Sequence, residues 1–135
     1  IAALGLLEQP VPHLESLGQY RLIWMRGYEY QRYLPTVRDY REVIRRGGIL
    51  GMLKQRHADF YIDALTEVTD VLSAAHDPAL YRVTPLTQLP VYLGFADNPR
   101  GRTLAELFDK RMAVLVKEGS LRPIFRRWQQ PYPFD

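Results

Sequence analysis

The residues able to do chemistry are few, and their spacing excludes more than it admits. The three histidines, His13, His57 and His76, fall in separate segments. None pairs with another at the i, i+4 spacing that puts two imidazoles on one helix face. They read as surface or loop side chains, and no metal site and no cofactor is expected. Cysteine is absent, which removes disulfides, thiolate ligands and thiol nucleophiles while fitting either redox compartment. The sequence has no G-x-S-x-G elbow, no G-x-x-x-x-G-K-[ST] phosphate loop and no G-x-G-x-x-G fingerprint, so nothing nominates an enzyme.

Asp59 and Asp63 lie four residues apart on a stretch that reads as a strand. They share a face but stand roughly 13 Å apart, too far to act on one bond. Asp63 is notable alone, because it closes a strand, and ligands of open α/β sheets bind in the crevice beyond the carboxyl ends of the strands. It serves equally as the N-cap of the following helix, with Thr66 and Glu67 in the first turn, and the two roles are compatible. In the run Arg26, Gly27, Tyr28, Glu29, Tyr30, the glycine ends a strand and leaves backbone amides able to meet an anion such as a carboxylate. Tyr28 and Tyr30 then either wall a pocket or pack against a neighbouring element. The same run partly matches the aromatic strand of an RNA-recognition motif, but Glu29 stands where a small residue belongs and Gln31 where valine belongs.

The elements that must position these groups follow from the apolar pattern. Tyr20 to Arg26, between Gly18 and Gly27, is a short apolar run of the kind buried on both faces of a parallel sheet. Pro35 keeps any helix that starts near Tyr28 short. A second strand is predicted at Glu42 to Arg45, then a turn at Gly47 and Gly48 into a helix holding Ile49, Leu50, Met52 and Leu53. Ala58 to Asp63 is a third strand, and Leu65 to Ala75 a helix with Leu65, Val68, Val71 and Leu72 on one side. This βαβαβα order implies a parallel sheet with covering helices. Strands are also predicted at Tyr81 to Thr84 and Val91 to Ala96, joined by a proline-flanked connector, Pro85 to Pro90, that is the candidate hinge or domain boundary. The tail is helical: Leu104, Leu107, Phe108, Met112, Leu115 and Val116 form one stripe, and Leu121, Ile124, Phe125 and Trp128 another, parted by Gly119.

The bulk numbers agree with a packed protein. Of 135 residues, 47% are hydrophobic and 24% charged, which excludes a disordered or fibrous chain. The net charge of +3, from 18 basic and 15 acidic side chains, is a small imbalance of interspersed charges and gives little reason to expect nucleic acid. The opening apolar run, Ile1 to Leu7, ends at Glu8, far short of the roughly 20 residues of a membrane span.

Several pieces together resemble the periplasmic solute-binding proteins of amino-acid uptake systems, the two-lobed type whose chain crosses the hinge twice. RGYEY (26–30) looks like the opening of that family's second lobe, and GMLKQRHADFYID (51–63) like its helix, basic turn and strand. LPVYLGFADNPRGRTLAELFDKRMAVLVKEGSLRPIFRRW (89–128) is similar to its strand, long helix, glycine break and final helix. The resemblance runs from about residue 14 to 128. It implies that the acidic residue closing the strand holds the ligand's amino group, and that the glycine turn gives amides to the ligand's carboxylate. The matching positions here are Asp63, and Gly27 with Tyr28, with Arg26 beside that turn. Tyr28 and Glu29 stand where many amino-acid binders carry small hydroxyl residues. The family's opening lobe, with its carboxylate-binding arginine, has no counterpart.

The resulting expectation is a three-layer α/β, parallel-sheet lobe of the type II periplasmic-binding-protein fold. Residues 1–13 would connect it to a missing upstream lobe, 14–86 would form the second lobe, and 87–135 would supply a strand and helices belonging to the first. Function would be extracytoplasmic binding of a small polar, amino-acid-like solute, in the periplasm or outside the cell. The partner would be the membrane permease of an ABC transporter, or a sensor, with no catalysis and no nucleic acid. Residues 1–135 alone are expected to self-associate through the tail. The alternatives are a regulatory solute-sensing domain of a larger envelope protein and a basic RNA-binding module.

Overall fold

The computed structural model describes all residues 1–135. The chain divides into two compact units, Ile1–Pro90 and Val91–Asp135. No helix is long and apolar enough to cross a membrane.

The first unit is a five-stranded mixed sheet with its helices. Its elements are β1 (Ala2–Leu6), β2 (Leu22–Met25), β3 (Tyr40–Val43), α1 (Ile49–Lys54), β4 (Phe60–Asp63), α2 (Leu65–Ser73) and β5 (Tyr81–Pro85). The spatial order is β3-β2-β4-β1-β5. β2 pairs in parallel with β3 and β4, as the βαβ alternation predicts. β1 runs antiparallel to both β4 and β5, with Ala3 opposite Ile62 on one side and Thr84 on the other. The opening run, expected to lie ahead of the lobe in a connector over residues 1–13, is therefore an inner strand of its sheet. Ala2, Ala3 and Leu4 are small or apolar enough to be buried there on both faces, which is why the run reads as uniformly apolar.

Strand alternation sorts the core into two layers. Ala2, Leu4, Ile23 and Tyr61 point to the face covered by α1 and α2, where they meet Ile49, Leu53, Val68 and Val71. Ala3, Leu22, Trp24, Phe60 and Ile62 point to the other face, covered by the irregular chain that carries Leu17, Leu34 and Val37. The helix expected after β2 is a single 3-10 turn, Tyr30–Arg32, since Pro35 leaves no room for more.

In the second unit, α3 (Pro99–Glu118) begins with Asn98 as N-cap, its side chain accepting the Gly101 N–H at 2.8 Å, and Pro99 in the first turn. It ends at Gly119, whose φ of +72° is the left-handed C-cap that terminates a helix at least cost for glycine. α4 (Arg122–Arg127) follows. The strand expected at Val91 to Ala96 does not form: the segment has no ladder partner, and Val91 and Tyr92 are 94% and 83% exposed.

Candidate functional site

The chain leaves β2 and β4 toward opposite faces of the sheet. After β2 it crosses the layer containing Leu34 and Val37, whereas after β4 it becomes α2, in the layer containing Val68 and Val71. Neighbouring parallel strands whose loops part in this way leave a crevice between their carboxyl ends. Arg26, Gly27 and Tyr28 follow β2, Arg46 follows β3 and Asp63 closes β4, so all five come from that edge.

Asp63 is completely buried and is the one charged side chain in the core. Its Oδ1 accepts the Ala64 N–H at 2.8 Å and the Tyr30 hydroxyl at 3.1 Å. Its Oδ2 accepts Arg46 Nη2 at 3.0 Å and Nε at 3.3 Å, together with a short bond from the Tyr61 hydroxyl. A carboxylate offers about four lone-pair sites, so these donors saturate it. Arg46 supplies the opposite charge without which burial of the carboxylate would be strongly unfavourable.

Arg46 faces both ways. Its side chain keeps 30% of its surface exposed. Nη2 also donates to the Tyr28 hydroxyl at 3.1 Å and lies 3.2 Å from Glu67 Oε2, while Nε reaches the Tyr61 hydroxyl at 3.1 Å. Nη1 has no acceptor within the chain and is open to solvent. Burial alone would lower the Arg46 pKa, but its bonds to Tyr28, Asp63 and Tyr61 outweigh that and raise it, so the guanidinium is always charged. Burial, reinforced by the Asp63 charge and its hydrogen bonds, pushes the Tyr30 and Tyr61 phenols up, which keeps both as proton donors.

Of the residues named from sequence, Asp63 and Tyr28 are brought together through Arg46. Arg26 and Gly27 instead group with Glu42. The Gly27 N–H, at a φ of +86° suited to glycine, donates to Glu42 Oε1 at 3.1 Å. Arg26 Nε lies 3.9 Å from the other Glu42 oxygen, beside an open depression of about 370 Å³ lined by Val43, Ile44 and Met52. The amide expected to be free for an anion thus has an acceptor within the chain. The N-cap position of α2 is Ala64, and the one backbone N–H that Asp63 accepts is that of Ala64, so it does not cap the helix in the usual sense.

Sequence reasoning missed Arg46 and Tyr61. Tyr61 had a signal: two residues before Asp63 on a strand, it must share that residue's face. Arg46 had none, because its partner lies 17 positions away. Asp59, at the other end of β4, is held by a fork from Arg21, with Nη2 at 2.8 Å and Nε at 3.1 Å, and by the Arg21 backbone N–H at 2.7 Å. It ties the starts of β2 and β4 together, well away from the crevice. No group of three or more acidic or histidine side chains converges in a way that would hold a metal ion.

No protein-family model matches the chain, and no curated protein matches it by sequence. Among solved structures, it is similar to an arginine 3rd transport system periplasmic binding protein from Legionella pneumophila, at 14% identity and a TM-score of 0.59. The alignment covers 93% of this chain and 60% of that one. The likeness establishes the fold, a mixed α/β arrangement of the periplasmic-binding-protein kind.

Proposed function

We propose that the chain is the solute-binding lobe of a two-lobed extracytoplasmic binding protein, acting in the periplasm or outside the cell. A small polar, amino-acid-like solute is held at the carboxyl edge of β2 and β4 and passed to the permease of an ABC transporter, or registered by a sensor. The site is centred on Asp63, Arg46 and Tyr28, with Gly27 and Arg26 at its margin. The observation that carries this function is the charged and phenolic cluster at the crevice edge of a fold shared with a periplasmic binding protein. The work is binding, not catalysis.

The chain spans 60% of the Legionella protein, which supports a second lobe supplied by sequence outside residues 1–135. Val91 to Ala96, α3 and α4 then belong with that lobe: the segment pairs into its sheet, and the exposed stripes of the helices cover it. The solute closes the two lobes on itself by hinge motion.

A thermal-shift screen of the full-length protein against amino acids, amines and small organic acids tests this function. A ligand that binds only the folded state stabilises it by about 2.7 kcal/mol at one hundred times its Kd, enough for a clear rise in Tm. A folded full-length protein whose Tm no such solute moves would refute solute binding.

A further inference from the structure

We propose that Arg46 Nη1 and the Tyr28 hydroxyl form an oxyanion-holding station, and that the solute meets this lobe through a carboxylate and not through an ammonium group. This deepens the solute-binding role proposed above and rests on it. The reason lies in which hydrogen-bonding groups the cluster leaves unused. On the acceptor side the buried carboxylate is used up: Asp63 is 0% exposed, and both its oxygens are taken by in-chain donors, while the exposed Glu67 already has one oxygen on Nη2. On the donor side, both hydrogens of Nη1 lack an acceptor in the chain, and Nη1 reaches solvent. The Tyr28 hydroxyl accepts from Arg46 Nη2 but donates to nothing, and Tyr28 is 44% exposed. Because that hydroxyl is bonded to the neighbouring Nη2, the spare donors share one small patch.

Spare N–H and O–H donors beside a fixed positive charge suit an oxyanion, and a planar guanidinium suits a carboxylate in particular. An ammonium group would have to reach the fully buried Asp63 by displacing Arg46, which would break an ion pair held by two hydrogen bonds. Asp63 therefore acts as a positioning residue. With Tyr61, it fixes Nε and Nη2 so that Nη1 faces outward. Glu67 Oε2, 3.2 Å from Nη2, engages the same nitrogen as the Tyr28 hydroxyl and leaves Nη1 as the guanidinium nitrogen without a partner in the chain.

The test uses the 135-residue chain with its arginine side chains ¹⁵N-labelled, titrated at constant ionic strength with sodium succinate and, separately, with putrescine. Succinate should shift the Arg46 side-chain signal saturably, and putrescine should not. Arg46→Gln should weaken succinate roughly tenfold or more, the size expected for losing charged hydrogen bonds. Tyr28→Phe, at an exposed position where folding is not at stake, should weaken it several-fold. A response to putrescine without one to succinate would overturn the carboxylate station while leaving solute binding standing. Silence toward both, in a folded chain, would remove the station and also count against a solute site on this lobe. Unchanged succinate affinity in Tyr28→Phe would also overturn the proposal, since the hydroxyl is half of the station.

Discussion

In the unit Ile1–Pro90, a sheet is covered on both faces and Trp24, Tyr61 and Ile62 are fully buried; in the unit Val91–Asp135, Leu107, Ile124 and Trp128 stay more than half exposed. Both units carry apolar residues at regular spacing, so their sequences promise comparable cores. The second unit buries no hydrophobic side chain, and its only buried residue is Gly101. Its aromatic contacts are local: Phe95 packs on Phe108, and Phe125 meets Tyr132 and Phe134 edge to face. Amphipathic periodicity specifies that a face will be covered. It does not say whether the cover lies in the same stretch of chain.

The sharpest test of the contrast is Trp24, which stacks on Tyr40 at 4.2 Å and meets Tyr30 edge to face at 6.0 Å. Trp24→Ala should cost about 3 to 5 kcal/mol in urea unfolding, as aromatic truncations in cores do. Trp24→Phe should cost much less, because it also deletes an indole N–H that has no acceptor in the buried site. If Trp24→Ala were tolerated, the first unit would not own the chain's stability.

A smaller loss is expected at the charged cluster. Arg46→Ala strands the Asp63 carboxylate in the core, and breaking a buried pair typically costs about 3 to 5 kcal/mol. Arg46 is 30% exposed, and solvent that enters beside Asp63 brings the expected loss down to roughly 2 to 3 kcal/mol. The double substitution Arg46→Met with Asp63→Leu should recover part of it, since removing both charges leaves no unpaired charge, although the Tyr30 and Tyr61 hydroxyls and the Ala64 N–H lose their acceptor. A double variant no more stable than Arg46→Ala would mean that the tyrosines, and not the charges, hold this edge together.

Smaller again is the effect of acid at the opposite end of β4. Burial alone would raise the Asp59 pKa, but the hydrogen bonds from Arg21 outweigh it and hold the carboxyl below its ordinary value of 3.8. Its folded pKa is depressed, so the stability it contributes is present above the unfolded value and lost as pH falls through the folded one. Urea midpoints should therefore drop below about pH 4, and Asp59→Asn should flatten that drop while lowering the midpoint at neutral pH. An unchanged acid limb in Asp59→Asn would assign the drop to other carboxylates.

The sequence revealed the elements better than their surroundings. β2, β4, α2, β5, α3 and the Gly119 break follow from local apolar period and turn chemistry, and so does the placing of Asp63 at a strand end. The antiparallel β1 was not legible, because an apolar run of seven residues has no period that reveals its direction or its partners. Arg46 was not legible for a related reason: its meeting with Asp63 depends on how β3 and β4 flank β2, which no local pattern encodes. Val91 to Ala96 failed the other way. Its composition is that of a strand, but a strand needs a ladder, and the chain provides none.

The smallest expected effect on stability lies in the second unit, and it separates the two units most directly. Leu107 is 63% exposed and Trp128 69% exposed, so truncating either removes little buried surface from the folded chain. Leu107→Ala and Trp128→Ser should each change unfolding stability by less than about 0.5 kcal/mol, the range for surface positions away from caps and charge networks. The same residues matter for association. Val91, Tyr92, Leu93, Leu107 and Trp128 expose apolar area of a kind that soluble proteins usually bury against a partner. The 135-residue chain should therefore self-associate on sedimentation as its concentration rises, and the double variant Leu107→Asp with Trp128→Ser should return it toward a monomer without altering its urea midpoint. A chain that stays monomeric at high concentration would show that these side chains need no cover, and a midpoint that falls with the double variant would show that the second unit has a core of its own after all.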